Sequence, residues 1–569
     1  MILNTFIKLK MILEKKEYNK MYFFLALSFL AMLLEILSVG LIIPFLNSLV
    51  SGEISLDIFK IFNFIEGLSI NYIITILIVV YSFKAIFLTF FTFLQSKYLA
   101  GIRAGLSNKL FKLYINRSYD FHLKNNTSKL IRNVGETNLI VLVIKAMITF
   151  VNEFLVMFGI SLFIIIFQPK ISFFVIIILS LIGFLFYKTV QGKMRFWGKI
   201  RQESTGNLLK IQNESFRLIK EIKILNRAKH IFEKFFSNND KIVQSEFKHS
   251  FISSLPRLWL EWLVIVTFLS AVSFMVLDGK NLSEIIVVIG VFTAAAFRIM
   301  PSLTKIMNSI QAILYQQVVL NTVSEQVQSL SKANLDHPTD KKDISSKRDF
   351  SLKVENLGFS YNNSKTVFKE INLQFDKGKI YGICGPSGSG KTTLINLILG
   401  FLQPLKGKIL FNEENIFNNL RSWRNNIGFV PQEIFLFDGT IKENILLYLP
   451  EKEINTIDLD NSIKNANLDE FINSSDKGLD TGIGEFGDKI SGGQKQRVGI
   501  SRAILSKPKV LILDEFTSSL DTKTEEKILN EITFLKKDRI IIIISHRLST
   551  LNLCDEIFKF DKEKLIQTK

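Results

Sequence analysis

Cysteine is nearly missing from this chain. Cys384 and Cys554 are the only two in 569 residues, and both lie in the last third. No disulfide framework or Cys-x-x-Cys metal pattern can be built from them, and Cys384 is expected as a core residue. No repeat of 20–50 residues recurs. No cleavable leader is expected either. Lys8, Lys10, Lys15, Lys16 and Lys20 precede an apolar run that is too long for one and is followed by further such runs. Net charge is +18, yet the basic residues form no platform interleaved with aromatics, which argues against nucleic acid as a partner. What the chain has in plenty is apolar surface: 48% hydrophobic residues, 51 of them Phe, and a mean hydropathy of +0.27. That composition points to a membrane protein, and the length exceeds what one core can hold.

Six apolar runs are long enough to cross a bilayer: about 21–50, then near 72–95, 139–167, 171–188, 258–278 and 284–312. Gln168-Pro169-Lys170 is expected to be a tight turn between the third and fourth. Residues 1–19, basic and partly amphipathic, read as an interfacial helix. Charge sets the orientation. Segment 96–132 carries eight Lys/Arg and one acid, and 188–250 carries fourteen against six, whereas 51–71 has one Lys and three acids. Lys and Arg collect on the cytoplasmic side, so both termini and the two long connections are expected there. The connections read as helical extensions of the spans. The stretch 54–65 is apolar but too short to span; an interfacial helix and a loop packed on the helix ends fit it equally. Residues 329–349 are polar and charged, a linker. From about Phe350 short β-runs alternate with helices, the pattern of an α/β domain.

In that second half Gly385-Pro386-Ser387-Gly388-Ser389-Gly390-Lys391-Thr392-Thr393 matches the phosphate-binding loop G-x-x-x-x-G-K-[ST], between a strand-forming run and a helical one. Glycines there allow the backbone amides to converge on an anion at a helix N-terminus. Lys391 supplies a cation for the β- and γ-phosphates, and Thr392 a hydroxyl for Mg²⁺. A second apolar strand ends in Asp514 and Glu515. Asp514 is placed to hold the metal shell, and Glu515, one residue on, to polarise a water. A third ends at Ser545-His546, where His546 is expected to meet the γ-phosphate.

Ile490-Ser491-Gly492-Gly493-Gln494 resembles the signature motif of the ATP-binding cassette (ABC) ATPases, and five further elements follow the family in order. Tyr361 resembles the aromatic that stacks on adenine. Gln432 resembles the glutamine that reaches the metal. Glu485 sits where exporters carry a short loop before the signature. Ser519-Leu520-Asp521 resembles the D-loop, and His546 the switch histidine. With six spans ahead of the cassette, the whole resembles an exporter-type half-transporter. The expected fold class is then a multidomain membrane protein. It comprises an all-α six-helix transmembrane domain (1–328), the linker (329–349) and an α/β ABC-type phosphate-loop ATPase domain (350–569). The resemblance implies ATP and Mg²⁺ as cofactors, with Thr392, Gln432 and Asp514 around the metal. It also implies that the phosphate loop of one cassette closes on the signature of another. One copy of each per chain makes a homodimer the economical assembly. Two departures stand out, Ile490 for the usual Leu and Phe516 where a small residue is usual. The family's C-terminal helices are also expected to be curtailed.

Charges inside the spans are costly and tend to be functional or paired. Glu35, Lys84 and Arg298 fall at similar depth, and Arg257 and Glu261 share a helix face. These read either as a structural cluster or as a cationic patch for an anionic headgroup. Phe297-Arg298-Ile299-Met300-Pro301-Ser302, with Lys305 and Asn308, and Lys220–Leu225 resemble segments of bacterial lipid-linked oligosaccharide flippases. That resemblance implies a homodimer in the bacterial inner membrane, in contact with membrane lipid, with Arg298, Arg257 and Lys84 meeting the pyrophosphate of a lipid-linked glycan. The stretch 54–65 would guide the polyprenyl tail. The alternatives are a general exporter of lipid A, hydrophobic drugs or peptides, and a membrane-anchored regulatory ATPase.

Overall fold

The computed structural model describes residues 2–50, 70–167, 169–277, 279, 282–332, 349–361, 365–518, 520–561 and 564–569. The expected external stretch 54–65, most of the linker and Ser519 lie outside the described residues. Two compact units emerge: Met1–Arg117 with Lys124–Ala333, and Ser118–Leu123 with Asn334–Lys569.

The helices up to Lys332 are α1 (Ile2–Ile12), α2 (Lys15–Gly40), α3 (Ile42–Val50), α4 (Ile70–Ile115), α5 (Tyr119–Lys124), α6 (Thr127–Gly135), α7 (Thr137–Phe167), α8 (Pro169–Arg217), α9 (Ile219–Ile224), α10 (Ala228–Leu277) and α11 (Leu282–Lys332), and all but α5 belong to the first unit. Among the described residues six stretches are long and apolar enough to cross a membrane. The chain leaves α1 at Glu14. Its carboxylate and that of Glu17 form a capping box that restarts the helix as α2. Pro169 opens α8 at its first position, where a missing N–H leaves no helical bond unmade. Helices α4, α8, α10 and α11 run 46 to 51 residues, well beyond the roughly 20 a bilayer requires. The basic connections are therefore continuous with the spans. Buried Met32, Val39, Val156, Ile160, Val291 and Ala295 form the central packing of α2, α7 and α11.

Two short helices interrupt the long ones where the chain reverses. Ser118–Leu123 belongs with the second unit, and the Tyr119 ring lies 4.8 Å from that of Phe401. Helix α9 buries none of its residues, leaving Ile219, Ile224 and the flanking Leu218 and Leu225 exposed.

Among its described residues the second unit holds ten strands in two sheets. β1 (Ser351–Tyr361), β2 (Lys365–Asp376), β4 (Lys406–Phe411) and β5 (Glu414–Asn415) make an antiparallel sheet, ordered β2-β1-β4-β5. β3 (Ile380–Cys384), β6 (Ile427–Val430), β7 (Val510–Asp514), β8 (Ile540–Ile544), β9 (Glu556–Asp561) and β10 (Lys564–Gln567) make the other, ordered β10-β9-β3-β8-β7-β6. All its pairs are parallel except β9 with β10. The continuous apolar runs of β7 and β8 are what a parallel sheet covered on both faces requires. Val510, Ile512, Ile540, Ile542 and Ile544 enter one core, and Leu511, Leu513, Ile541 and Ile543 enter the other. Phe516 is 1% exposed within that second core, so the large side chain in place of a small one is absorbed by packing.

Candidate functional site

Four loops leave the C-terminal ends of the parallel strands, where such sheets bind ligands. They carry the phosphate loop after β3, Gln432 after β6, Asp514 and Glu515 at β7, and His546 after β8. Neighbouring strands in the order β3-β8-β7-β6 thus bring together residues spread over some 160 positions of sequence.

The phosphate loop needs glycine where its backbone turns left-handed. Gly388 has φ 78° and Gly390, the cap of helix Lys391–Ile398, has φ 106°. A Cβ at Gly390 would also stand 2.9 Å from Val367 Cγ1. Lys391 Nζ donates to the carbonyls of Gly385 and Pro386, 2.8 and 2.9 Å away, so the ammonium lies folded over its own loop. Thr392 is exposed at the first turn of that helix, with Ser387 and Pro386 exposed ahead of it. Thr393 is buried, and its hydroxyl shares a 3.2 Å hydrogen bond with the half-exposed Tyr361. The Ser389 hydroxyl oxygen is buried with no hydrogen-bond partner among the described residues, a donor awaiting an acceptor. An orphaned hydroxyl, a lysine and a helix N-terminus converging on one loop fit a polyphosphate.

Glu515 is the hub of the carboxylate end. Its backbone is left-handed, φ 45°, uncommon for a non-glycine residue and a form of local strain that clusters at functional sites. Gln432 Nε2 donates to its Oε2 at 2.7 Å, and His546 Nδ1 stands 3.4 Å from its Oε1. Burial, together with the neighbouring Glu515 charge and against the pull of Lys391, pushes the Asp514 carboxyl up to about 6. A carboxylate held uncomfortably beside a second one fits a divalent cation.

Ser491, Gly492, Gly493 and Gln494 open helix Gly492–Leu505. Ser491 and Gln494 close a capping box on each other, the hydroxyl accepting from the Gln494 amide at 3.2 Å and the Gln494 carboxamide oxygen from the Ser491 amide at 2.8 Å. Among the described residues no hydrogen bond or ion pair joins them to the phosphate loop of the same chain. Asp521 caps helix Thr522–Leu535 by accepting from the Thr524 amide, and hydrogen bonding from the Thr524 side chain, with the amide's added to it, holds its carboxyl below the usual range. Glu485 begins a tight turn in which Phe486 takes φ 54° and meets the ring of Phe435, 5.6 Å away.

In the helical unit Lys84 Nζ lies 2.8 Å from Glu35 Oε2, and Arg298 Nε lies 2.9 Å from Glu35 Oε1. The Arg298 contact lacks hydrogen-bonding geometry and is ionic in character. Arg298 also reaches Glu153, which accepts from Ser302 Oγ at 2.7 Å and from Lys305 Nζ at 2.8 Å. Both carboxylates are buried, while Lys305 keeps half its side chain exposed. Glu153 escaped sequence reading, although an acid inside the third apolar run was a signal. Arg257 does not join the cluster. It pairs with Glu261 at 3.0 Å on the exposed flank of α10. On another side of α7 and α11 a cavity of about 370 Å³ is walled by α7, α8, α10 and α11, with Phe150, Phe154, Met157, Phe268, Phe292 and Met300 among its lining.

Residues 21–300 match the family model for the ABC transporter transmembrane region, and residues 368–518 match that for the ABC transporter itself, together well over half the chain. The chain belongs to the ABC transporters. With one transmembrane region and one cassette it is a half-transporter of the exporter kind. A bacterial Atm1-family ABC exporter with ATP bound superimposes with a TM-score of 0.79 over 97% of this ABC transporter and 95% of that chain. At 20% identity this likeness shows the fold. Among curated relatives, a candidate multidrug export ATP-binding/permease protein of Staphylococcus aureus is 42% identical over 219 residues, 38% of each chain. ABC transporter B family member 22 of Arabidopsis thaliana is 42% identical over 219 residues, 38% of this ABC transporter and 18% of its own length. The aligned part thus spans well under half the length of these relatives.

Proposed function

We propose that this half-transporter pairs with a second copy of itself and uses ATP hydrolysis to export an amphiphile across the bacterial cytoplasmic membrane, with both termini on the cytoplasmic side. The observation that carries the ATPase reading is Glu515, strained at the end of β7 and held between Gln432 and His546 beside the phosphate loop. Tyr361 would receive the adenine, and the amides of Gly385–Thr393 with Ser389 and Lys391 the phosphates. Thr392, Gln432 and Asp514 would surround the metal. Mg²⁺, when bound, neutralises charge that develops on the transferred phosphoryl group. Glu515 orients a water and takes its proton, and His546 holds the γ-phosphate side of that water's path. The capping box leaves the Ser491 hydroxyl and the Gly492 and Gly493 amides at a helix N-terminus suited to the γ-phosphate of a partner's nucleotide, with Asp521 alongside. The uncovered aliphatic residues of α9 are further surface that a second chain would bury.

For the cargo, the aromatic cavity and the pairing of Lys84 and Arg298 with buried acids favour a large apolar body. The finer reading is a polyprenyl-pyrophosphate-linked oligosaccharide or a similar anionic glycolipid. Its support is charge. Lys84, Arg298 and Lys305 outnumber Glu35 and Glu153 by one, and Lys305 is half exposed. Lipid A, drugs or peptides are the competing cargo. Proteoliposomes decide between them. Labelled lipid-linked oligosaccharide should cross in an ATP-dependent manner and stimulate hydrolysis where drugs do not. Glu515→Gln should bind ATP yet hydrolyse it about 10²-fold or more slowly. Stimulation by drugs alone sinks the glycolipid reading. Undiminished hydrolysis in Glu515→Gln sinks the role of Glu515.

A further inference from the structure

Beneath the exposed contact between Glu515 and His546 runs a second, buried link between the same two loops. Glu525, on helix Thr522–Leu535, is 6% exposed. A carboxylate so placed needs its charge matched and its oxygens occupied. Among the described residues, every donor it receives comes from the segment that follows His546. Arg547 Nη1 reaches Oε2 at 2.6 Å, and the Ser549 and Thr550 hydroxyls reach Oε1 at 3.0 and 3.3 Å. Arg547 turns its other terminal nitrogen to the carbonyl of Ser518, 3.1 Å away, three residues beyond Glu515. Ser518 in turn receives Gln496 Nε2 on its hydroxyl at 2.9 Å, and Gln496 is a buried residue of the helix that Ser491 caps. The chain of contacts runs from the helix behind Ser491, through the loop behind Glu515, to the loop that carries His546.

We infer that Glu525 and Arg547 are positioning residues for ATP hydrolysis: their buried ion pair fixes the His546 loop against the Glu515 loop and so sets the distance between those two groups. The inference rests on the ATPase reading above. Neither residue is among those assigned above to the nucleotide or the metal. Arg547 is adjacent in sequence to His546, so a shift of its guanidinium moves the histidine's backbone directly. A planar fork serves two acceptors at once, the carboxylate and the Ser518 carbonyl, which a lysine cannot reproduce. Small displacements at a reacting centre are expressed in turnover rather than in binding.

The full-length protein in proteoliposomes tests this through kcat and KM for ATP, with a fluorescent ATP analogue reporting binding. Glu525→Gln should lower kcat about tenfold and leave KM within about twofold. In the His546→Ala background the same change should cause no further loss, because the group it positions is gone. Arg547→Lys should repeat the selective loss of kcat, and it carries the test should Glu525→Gln fail to fold. An unchanged kcat, or an equal fold-loss with and without His546, overturns the inference. So does a rise in KM together with a fall in thermal stability. A wild-type protein that binds no ATP refutes instead the ATPase reading beneath it.

Discussion

At the scale of single residues, Asp514 gives the clearest linkage to pH. Its carboxyl titrates near 6, while an unfolded aspartate releases its proton near 4. Between those values the folded state holds a proton that the unfolded state has lost, so stability falls as pH rises through this window, and the deficit is complete above it. Asp514→Asn removes the penalty. The nucleotide-free protein should therefore gain several degrees in Tm at pH 7.5 and little at pH 4.5, by differential scanning fluorimetry. An equal gain at both pH values would point to packing instead. The same titration bears on the metal, because a protonated Asp514 offers no charge to Mg²⁺. Mg²⁺-dependent hydrolysis should decline below about pH 6 and recover in part with excess Mg²⁺.

At the scale of elements, α2, α4, α7 and α11 are tied by the ion network around Glu35 and Glu153. Breaking a buried pair from one side leaves a charge uncompensated and costs about 3–5 kcal/mol. Glu153→Gln removes the carboxylate that Arg298, Ser302 and Lys305 share. It should destabilise the detergent-solubilised protein by that order. Lys305→Ala, at a half-exposed cation, should cost under about 1 kcal/mol. Equal effects in denaturant unfolding would show that the network is not a structural tie. Sequence pattern conveys one side of such a tie. The spans, the strands and the phosphate loop were legible because each is written locally, in a run of apolar residues, an Ile540–Ile544 strand or a glycine spacing. Glu153 was hidden inside an apolar run, since its meaning depends on α7 lying against α11. The pairing of Arg257 with Glu261 was legible by contrast, since the two sit one turn apart on the same helix. The link from Glu525 to Arg547 crosses 22 residues and two loops, and no periodicity encodes it. The helical extensions of the spans were legible too, from the basic helical pattern of the connections, and α4, α8, α10 and α11 continue as polar helices well past the apolar run.

At the scale of the whole molecule, the assembly proposed above makes the site a property of two chains. Ser491 and Gln494 cap their own helix and make no bond to their own chain's phosphate loop among the described residues. If each nucleotide is completed by the partner, defects on opposite sides of the site complement one another. Lys391→Ala spoils the phosphate-loop half and Ser491→Arg the signature half, so each variant alone should be inactive. A mixed dimer holds one site with both defects and one with neither. Random assembly makes about half the dimers mixed, each with one working site of two, so co-expression should restore about a quarter of wild-type ATPase activity if that site turns over normally. Mixing the separately purified variants without subunit exchange should restore none. Complete silence in the co-expressed sample, with mixed dimers verified by differently tagged chains, would mean either that both sites must fire together or that each chain completes its own. A Glu515→Gln chain paired with wild type separates these two cases, since self-contained sites would retain half the activity and coupled sites almost none.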